Sequence, residues 1–243
     1  MKKFPRGYFI TGTDTGVGKT VVTASLARCL SRRGPSVGVM KPVETGQPDG
    51  HAAASDAERL RAASGASDPL EVVSPYRFPQ PLAPLAAARL VGVVINPDHL
   101  RDCFEELASR HSTVLVEGVG GVLVPVSKDC DMRDLIVRFN LPCLVVGRAS
   151  LGGINHALLT VEALQRRRVQ LVGIVLNSPA EPVRDSTQVE STVELVRELA
   201  GIRVFGPLPH HPQLRQAWEV GIARLAEDPT ICELAALLTG AAP

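Results

Sequence analysis

Short apolar, β-branched runs alternate along the chain with longer segments in which apolar residues recur every three or four positions. The runs Tyr8–Thr11, Val37–Lys41, Val114–Glu117, Leu144–Gly147, Val172–Leu176 and Val204–Leu208 read as strands, each ending against glycine, proline or a polar residue. The segments Thr20–Arg32, Pro97–Ser109, Met132–Phe139, Ile154–Arg167 and Thr187–Ala200 carry the helical period. Asn96-Pro97 adds an N-cap residue followed by proline at the first helical position. A strand that is apolar throughout buries both faces, and strands separated by crossover helices run parallel. The pattern therefore predicts an α/β protein of three layers, α/β/α, around a mostly parallel sheet.

Ligands of such sheets bind beyond the carboxyl ends of the strands, so chemically capable residues are expected there. Gly12-Thr13-Asp14-Thr15-Gly16-Val17-Gly18-Lys19-Thr20 lies between the first strand and the first helix, the context of a phosphate-binding loop. Its glycines turn backbone N–H groups inward, and the helix N-terminus adds positive charge. Lys19 would reach the outer phosphates and the Thr20 hydroxyl would ligate Mg²⁺. One irregularity stands out: the usual spacing puts the first glycine at residue 13, whereas here it is Gly12. The expected architecture is accordingly a phosphate-loop NTPase-like fold.

Other strands end alike, with Lys41, with Glu117 before Gly118, Gly120 and Gly121, with Gly147-Arg148, and with Asn177. Singly, each also fits a polar residue ending an apolar strand in solvent. Glu117 behaves as the second metal-binding acid of phosphate-loop enzymes, and Asp56 in Ser55-Asp56-Ala57 is a further candidate acid, or else the N-cap of a helix Ala57–Ala63. Thr20, Asp56 and Glu117 would form a partial oxygen shell for Mg²⁺. Lys41, at a strand end before Pro42, is placed for an anion, and with Lys19 it would stabilise charge on a transferring phosphoryl group.

Lys plus Arg total 26 against 25 for Asp plus Glu, which gives no global field for nucleic acid or an anionic membrane. The five cysteines, Cys29, Cys103, Cys130, Cys143 and Cys232, are scattered without metal spacing and read as reduced, mostly buried packing residues. No apolar stretch after Met1-Lys2-Lys3 is long enough for a signal or a membrane span, so a cytoplasmic protein of one ATP-binding domain over 1–243 is expected. Ala52–Ala54 reads as a loop, Ala86–Ala88 as helix, Glu233–Leu238 as core packing and Arg166-Arg167-Arg168 as a solvated helix end.

The chain resembles the dethiobiotin synthetases of biotin biosynthesis. The likeness covers most of its length and rests on the phosphate loop, Lys41-Pro42-Val43 with Gly46, Ser55-Asp56-Ala57, Pro75–Phe78, Val116–Gly121 and Leu151–Ala157. It implies ATP-dependent closure of a ureido ring on 7,8-diaminononanoate with CO₂, through a carbamate and a carbamic-phosphoric anhydride. By the same resemblance Thr15, Lys19 and Lys41 are catalytic, and Asp14, Thr15, Gly16, Val17, Gly18, Lys19, Thr20, Asp56 and Glu117 bind ATP and Mg²⁺. Asn177 with Pro207, Leu208 and Pro209 would meet the purine base. Thr45, Gly118, Val119, Gly120 and Gly121 would line the substrate. Leu151, Gly152 and Asn155 would hold its carboxylate tail across a homodimer interface. Without the resemblance, Gly152-Gly153 fits a turn, Asn155 a helix cap and His156 a structural helix position. Ala83-Pro84-Leu85 departs from the family's common Ser-Pro-His.

Two other classes share the phosphate loop. An amidotransferase-type synthetase would need a glutaminase domain for which this chain has no room. A partitioning or septum-positioning ATPase usually carries a further lysine early in the loop, where this chain has Thr13-Asp14-Thr15.

Overall fold

A computed structural model describes residues 6–46, 54–178 and 187–240; Ala52, Ala53 and the segment after Ser178 up to residue 186 lie outside them. The strands are β1 (Gly7–Gly12), β2 (Val37–Met40), β3 (Val43–Thr45), β4 (Tyr76–Phe78), β5 (Thr113–Gly121), β6 (Pro125–Ser127), β7 (Cys130–Asp131), β8 (Cys143–Arg148), β9 (Leu171–Asn177) and β10 (Val204–Leu208). The helices are α1 (Lys19–Arg32), α2 (Asp56–Ser64), α3 (Leu70–Val73), α4 (Pro84–Leu90), α5 (Pro97–Arg110), α6 (Met132–Phe139), α7 (Gly153–Arg166), α8 (Thr187–Leu199), α9 (Gln213–Gln216), α10 (Trp218–Leu225) and α11 (Pro229–Thr239).

The central sheet has the order β10-β9-β8-β1-β5-β2, and every neighbouring pair in it is parallel. All six strands expected from the apolar runs belong to it. Every residue of β1 is buried, as are the first five of β8, which requires cover on both faces. Helix α1 packs with α2, α10 and α11, α5 with α6, and α7 with α8, giving the layers of an α/β/α phosphate-loop fold. The chain moves from β1 outward to β2, returns to β5 and then crosses to β8 beyond β1. Such a reversal beside β1 opens a crevice over the carboxyl ends of the strands.

Boundaries shift where hydrogen bonding demands it. Strand β2 stops at Met40 because the Lys41 N–H turns from the ladder to the Val73 carbonyl, 2.8 Å away. Strand β5 runs on to Gly121, pairing Gly121 with Gly12 after a register shift. The short pairs β3–β4 and β6–β7 were invisible to a periodicity argument, being two or three residues long. Glu233–Leu238 falls within α11, which buries Leu234, Ala235, Ala236 and Leu238 in the core as expected. Cys29, Cys103 and Cys143 are buried, Cys130 and Cys232 partly so, and all five are free thiols.

At the opposite, amino end of the strands lies a compact polar cluster. Asp68 is buried and accepts from Arg110 Nη1 at 3.3 Å on one oxygen, with His111 Nε2 at 2.7 Å from the other. His111 Nδ1 lies 2.7 Å from Ser36 Oγ. Together they tie the turn before α3 to the starts of β2 and β5.

Candidate functional site

The segment between β1 and α1 wraps over the sheet's carboxyl edge, with the Thr13 N–H bonded to the Val146 carbonyl at 2.9 Å. Gly18 caps α1 in the left-handed region at φ 95°, and a Cβ there would stand 2.1 Å from Asn177 Nδ2. Conformation and close approach both demand glycine. Asn177 Nδ2 donates to the Val17 carbonyl at 2.9 Å, so the end of β9 braces the loop from beneath. The displaced Gly12 also has a reason: a Cβ there would come within 2.9 Å of Lys19 Nζ and 3.0 Å of Val17. Space for the lysine stem, rather than loop conformation, fixes that glycine.

Lys19 Nζ donates to the Asp14 carbonyl at 2.8 Å and the Gly120 carbonyl at 2.9 Å, bridging the loop to the end of β5. Burial lowers its pKa to about 8, with Glu117 opposing the shift. Lys41 Nζ lies 2.5 Å from Glu117 Oε1 and 3.1 Å from Asp56 Oδ2. Burial pulls the Lys41 pKa down, but the two carboxylates outweigh it and hold it above the ordinary lysine value. Asp56 is held below the usual carboxylate range because Lys41 outweighs its burial. Thr20 Oγ1 donates to the same Glu117 Oε1 at 2.8 Å. One fully buried glutamate thus joins the loop, α1 and the end of β2.

Asp56 is not the N-cap of α2. Ser55 is the N-cap of α2, its side chain accepting from the Glu58 N–H while Glu58 returns a bond to the Ser55 N–H, and Asp56 is the first helical residue. Capping by the neighbour frees the Asp56 carboxylate to face Lys41. Similarly, Gly152 caps α7 without a side-chain bond, so Asn155 lies inside the helix rather than capping it.

Thr15, Gly16, Gly18, Lys19, Thr20, Lys41, Thr45, Asp56, Glu117, Val119 and Gly120 line one cavity of about 570 Å³ over the carboxyl edge. Other expected site residues, Asn177 among them, are not part of its lining. Asp14 is exposed and pairs with Arg148 at 2.9 Å, and Val17 is buried under the loop. Gly118 packs against Phe9 and Met132, where a Cβ would sit 3.0 Å from the ring. Gly121 and Asp14 line a second cavity of about 420 Å³ with Leu123, Pro125, His156 and Leu159. Leu151, Gly152 and Asn155 are exposed at the start of α7. Leu208 is buried with its carbonyl taken by the Ser178 N–H at 3.0 Å, while Pro207 and Pro209 are exposed.

Of the cavity residues that give no signal in the sequence, three are charged or aromatic. Glu44 is buried and caps α2, accepting from the Asp56 N–H at 2.5 Å and the Ala57 N–H at 3.5 Å; burial raises its pKa. Arg59 and Trp218 line the cavity wall. The departure Ala83-Pro84-Leu85 places Ala83 and Pro84 on that wall beside Leu82, an apolar lining.

Glu117 Oε2 is buried without a hydrogen-bond partner, beside a hydroxyl and a second carboxylate. Hard oxygens with an unsatisfied one among them suit Mg²⁺. Among the described residues no three His, Cys, Asp or Glu side chains converge at metal spacing, so the protein's share of such a shell would be partial, completed by water and phosphate. Among the described residues no helix is long and apolar enough to cross a membrane.

A family model described as an AAA domain matches residues 6–217. The ATP-dependent dethiobiotin synthetase BioD of Anaeromyxobacter dehalogenans (strain 2CP-C) is 45% identical over 222 residues, 91% of this chain and 94% of that protein. The protein of the same description from Thermodesulfovibrio yellowstonii is 37% identical over 219 residues, covering 86% and 91%. Among solved structures, a ParA family ATPase from Chlorobium tepidum TLS matches with a TM-score of 0.57 at 16% identity, over 95% of this chain and 98% of that one, a likeness of fold alone. On the identity and coverage of its relatives, the chain belongs to the ATP-dependent dethiobiotin synthetases.

Proposed function

We propose that this chain is a cytoplasmic, single-domain cyclo-ligase that binds ATP and Mg²⁺ and closes the ureido ring of dethiobiotin on 7,8-diaminononanoate with CO₂. The observation carrying this reading is the convergence of Lys19, Lys41, Thr20, Asp56 and Glu117 in one cavity over the carboxyl edge of the sheet. An amine of the substrate adds to CO₂ and loses a proton, giving a carbamate. A carbamate oxygen attacks the γ-phosphorus of ATP and ADP departs. The second amine then attacks the carbamoyl carbon, and phosphate leaves with the bridging oxygen.

The protein's part in each step is position and charge. Lys41, kept protonated by its two carboxylates, serves as a fixed cation rather than a base. Lys19 and Thr15 meet the outer phosphates, and the loop from Asp14 to Thr20 wraps the polyphosphate with Gly16, Val17 and Gly18. Thr20, Asp56 and Glu117 would hold Mg²⁺, which neutralises phosphate oxygens when bound. Thr45 and the backbone of Gly118, Val119, Gly120 and Gly121 take the diamine side. Asn177 and residues Pro207, Leu208 and Pro209 take the base, the last three through backbone groups.

Two copies of the chain would share the substrate, Leu151, Gly152 and Asn155 of one reaching the tail held by the other. Leu123 and Leu159, which line one cavity at 63% and 56% exposure, and Leu151 at 83% offer apolar surface that such an interface would cover. Nucleic acid and membranes are not partners in this reading. The test is phosphate release from Mg·ATP with 7,8-diaminononanoate and bicarbonate, each omitted in turn, with mass detection of the product. Release and product that both require the diamine support the reading; steady hydrolysis indifferent to the diamine, with no product, overturns it.

A further inference from the structure

Arg59 follows Asp56 by one helical turn on α2, and its guanidinium carbon lies 4.7 Å from the centroid of the Trp218 ring. Both side chains line the cavity that holds the phosphate loop. The two lysines there are engaged, Lys19 with backbone carbonyls and Lys41 with Asp56 and Glu117. The Arg59 backbone N–H belongs to the first turn of α2, donating to the Ser55 carbonyl at 2.9 Å, but its guanidinium, with five donors, makes no hydrogen bond or close ion pair among the described residues and acts on the Asp56 carboxylate only through its charge. Its place over the Trp218 ring restrains the guanidinium before any ligand arrives, removing part of the ordering cost of binding. A planar fork of donors, pre-oriented at the rim of an anion-binding loop, matches two phosphate oxygens at once.

We infer that Arg59, held by Trp218, is a nucleotide-positioning residue that grips the polyphosphate of ATP and ADP from the α2 side, opposite the backbone of the phosphate loop. This rests on the reading that the cavity binds ATP. Trp218 belongs to α10, which packs on α1, so its ring closes the cavity beside the first turn of α1, where Thr20 and Val21 also line it. In the reading proposed above, the diamine lies instead toward Thr45 and the end of β5. A guanidinium that shares this cavity with Thr20 and Asp56 is therefore set to read phosphates rather than the carboxylate tail. As Trp218 is the chain's single tryptophan, the clamp carries its own optical reporter.

The experiment is calorimetric titration of the full chain with Mg·ADP and Mg·ATP, alongside tryptophan fluorescence, for wild type, Arg59→Met, Arg59→Lys and Lys19→Met. Methionine keeps the helix propensity and the apolar stem, so α2 is retained, and the unfolding midpoint checks this. The expected result is ADP binding weakened about tenfold or more in Arg59→Met, partial recovery in Arg59→Lys, an unaltered KM for diaminononanoate, and a fluorescence change on ADP binding that Arg59→Met diminishes. ADP affinity within twofold of wild type in Arg59→Met, while Lys19→Met abolishes binding, overturns the inference and leaves the ATP reading intact. A rise confined to the KM for diaminononanoate overturns it too, as does an equal loss in both Arg59 variants accompanied by a lowered midpoint. No nucleotide binding by wild type removes both the reading and the inference.

Discussion

Two buried polar clusters sit at opposite ends of the same parallel strands, and they differ in how completely their hydrogen bonds are satisfied. At the amino end, both oxygens of Asp68 and both ring nitrogens of His111 have partners, so the cluster is closed upon itself. At the carboxyl end, Glu117 gathers Thr20 and Lys41 on one oxygen and leaves the other bare, and Lys19 rests on two carbonyls at the edge of a cavity. A satisfied network needs nothing more and pins elements together. An unsatisfied one is open to a bound ion or ligand, and such sites are where chemistry is found.

The sharpest way to break this contrast is to remove a charge from each end. Lys41→Ala is expected to lower kcat/KM for diaminononanoate by about 10³-fold or more, in steady-state assays of phosphate release, through loss of a preorganised cation. Asp68→Asn at the other end should lower unfolding stability by about 2–3 kcal/mol in urea titrations, because His111 and Arg110 lose a buried anionic partner. Its kcat/KM should stay at the wild-type value. An Asp68 variant as inactive as Lys41→Ala would erase the distinction between pin and site.

A subtler test uses protonation. Nucleotide phosphates favour the Lys19 ammonium, so the pKa in the complex exceeds the value of about 8 in the free protein. Below pH 8 the group is charged in both states and affinity is flat. Above it the free protein binds fewer protons than the complex, so nucleotide affinity should fall about twofold by pH 8 and about tenfold by pH 9, with proton uptake on binding. Titration calorimetry in two buffers of different ionisation enthalpy measures both, and affinity rising with pH would contradict the assignment.

The smallest expected effect concerns a position one residue from the site. Ser55→Ala removes half of the capping box of α2 and should cost about 1 kcal/mol of stability. Because α2 carries Asp56 toward Lys41, the same change should raise the Mg²⁺ concentration needed for half-maximal rate severalfold, whereas loss of stability alone would leave that requirement unaltered.

What could be read in advance follows from how local each signal is. The phosphate loop, Lys41 and Glu117 declare themselves because a buried strand ending in a charged residue leaves that charge at the edge where such sheets bind ligands. The role of Asp56 was ambiguous because Ser55 and Asp56 are both good N-caps, and only the structure shows the serine taking the task. Glu44, Arg59 and Trp218 gave no such signal. They reach the cavity from β3, α2 and α10, elements far apart in the chain whose meeting depends on tertiary packing. Trp218 alone offered a hint, as the single residue of its type.

The account stands on the claim that this crevice transfers the γ-phosphoryl group of ATP to a carbamate made from CO₂. The most direct measurement supplies ¹⁸O-bicarbonate in unlabelled water with Mg·ATP and 7,8-diaminononanoate, and reads the released phosphate by mass spectrometry before the label exchanges out. The mechanism predicts one labelled oxygen in each phosphate formed together with dethiobiotin, since phosphate departs with the bridging oxygen. Unlabelled phosphate, released with or without the diamine, would mean that water takes the phosphoryl group and would contradict the account.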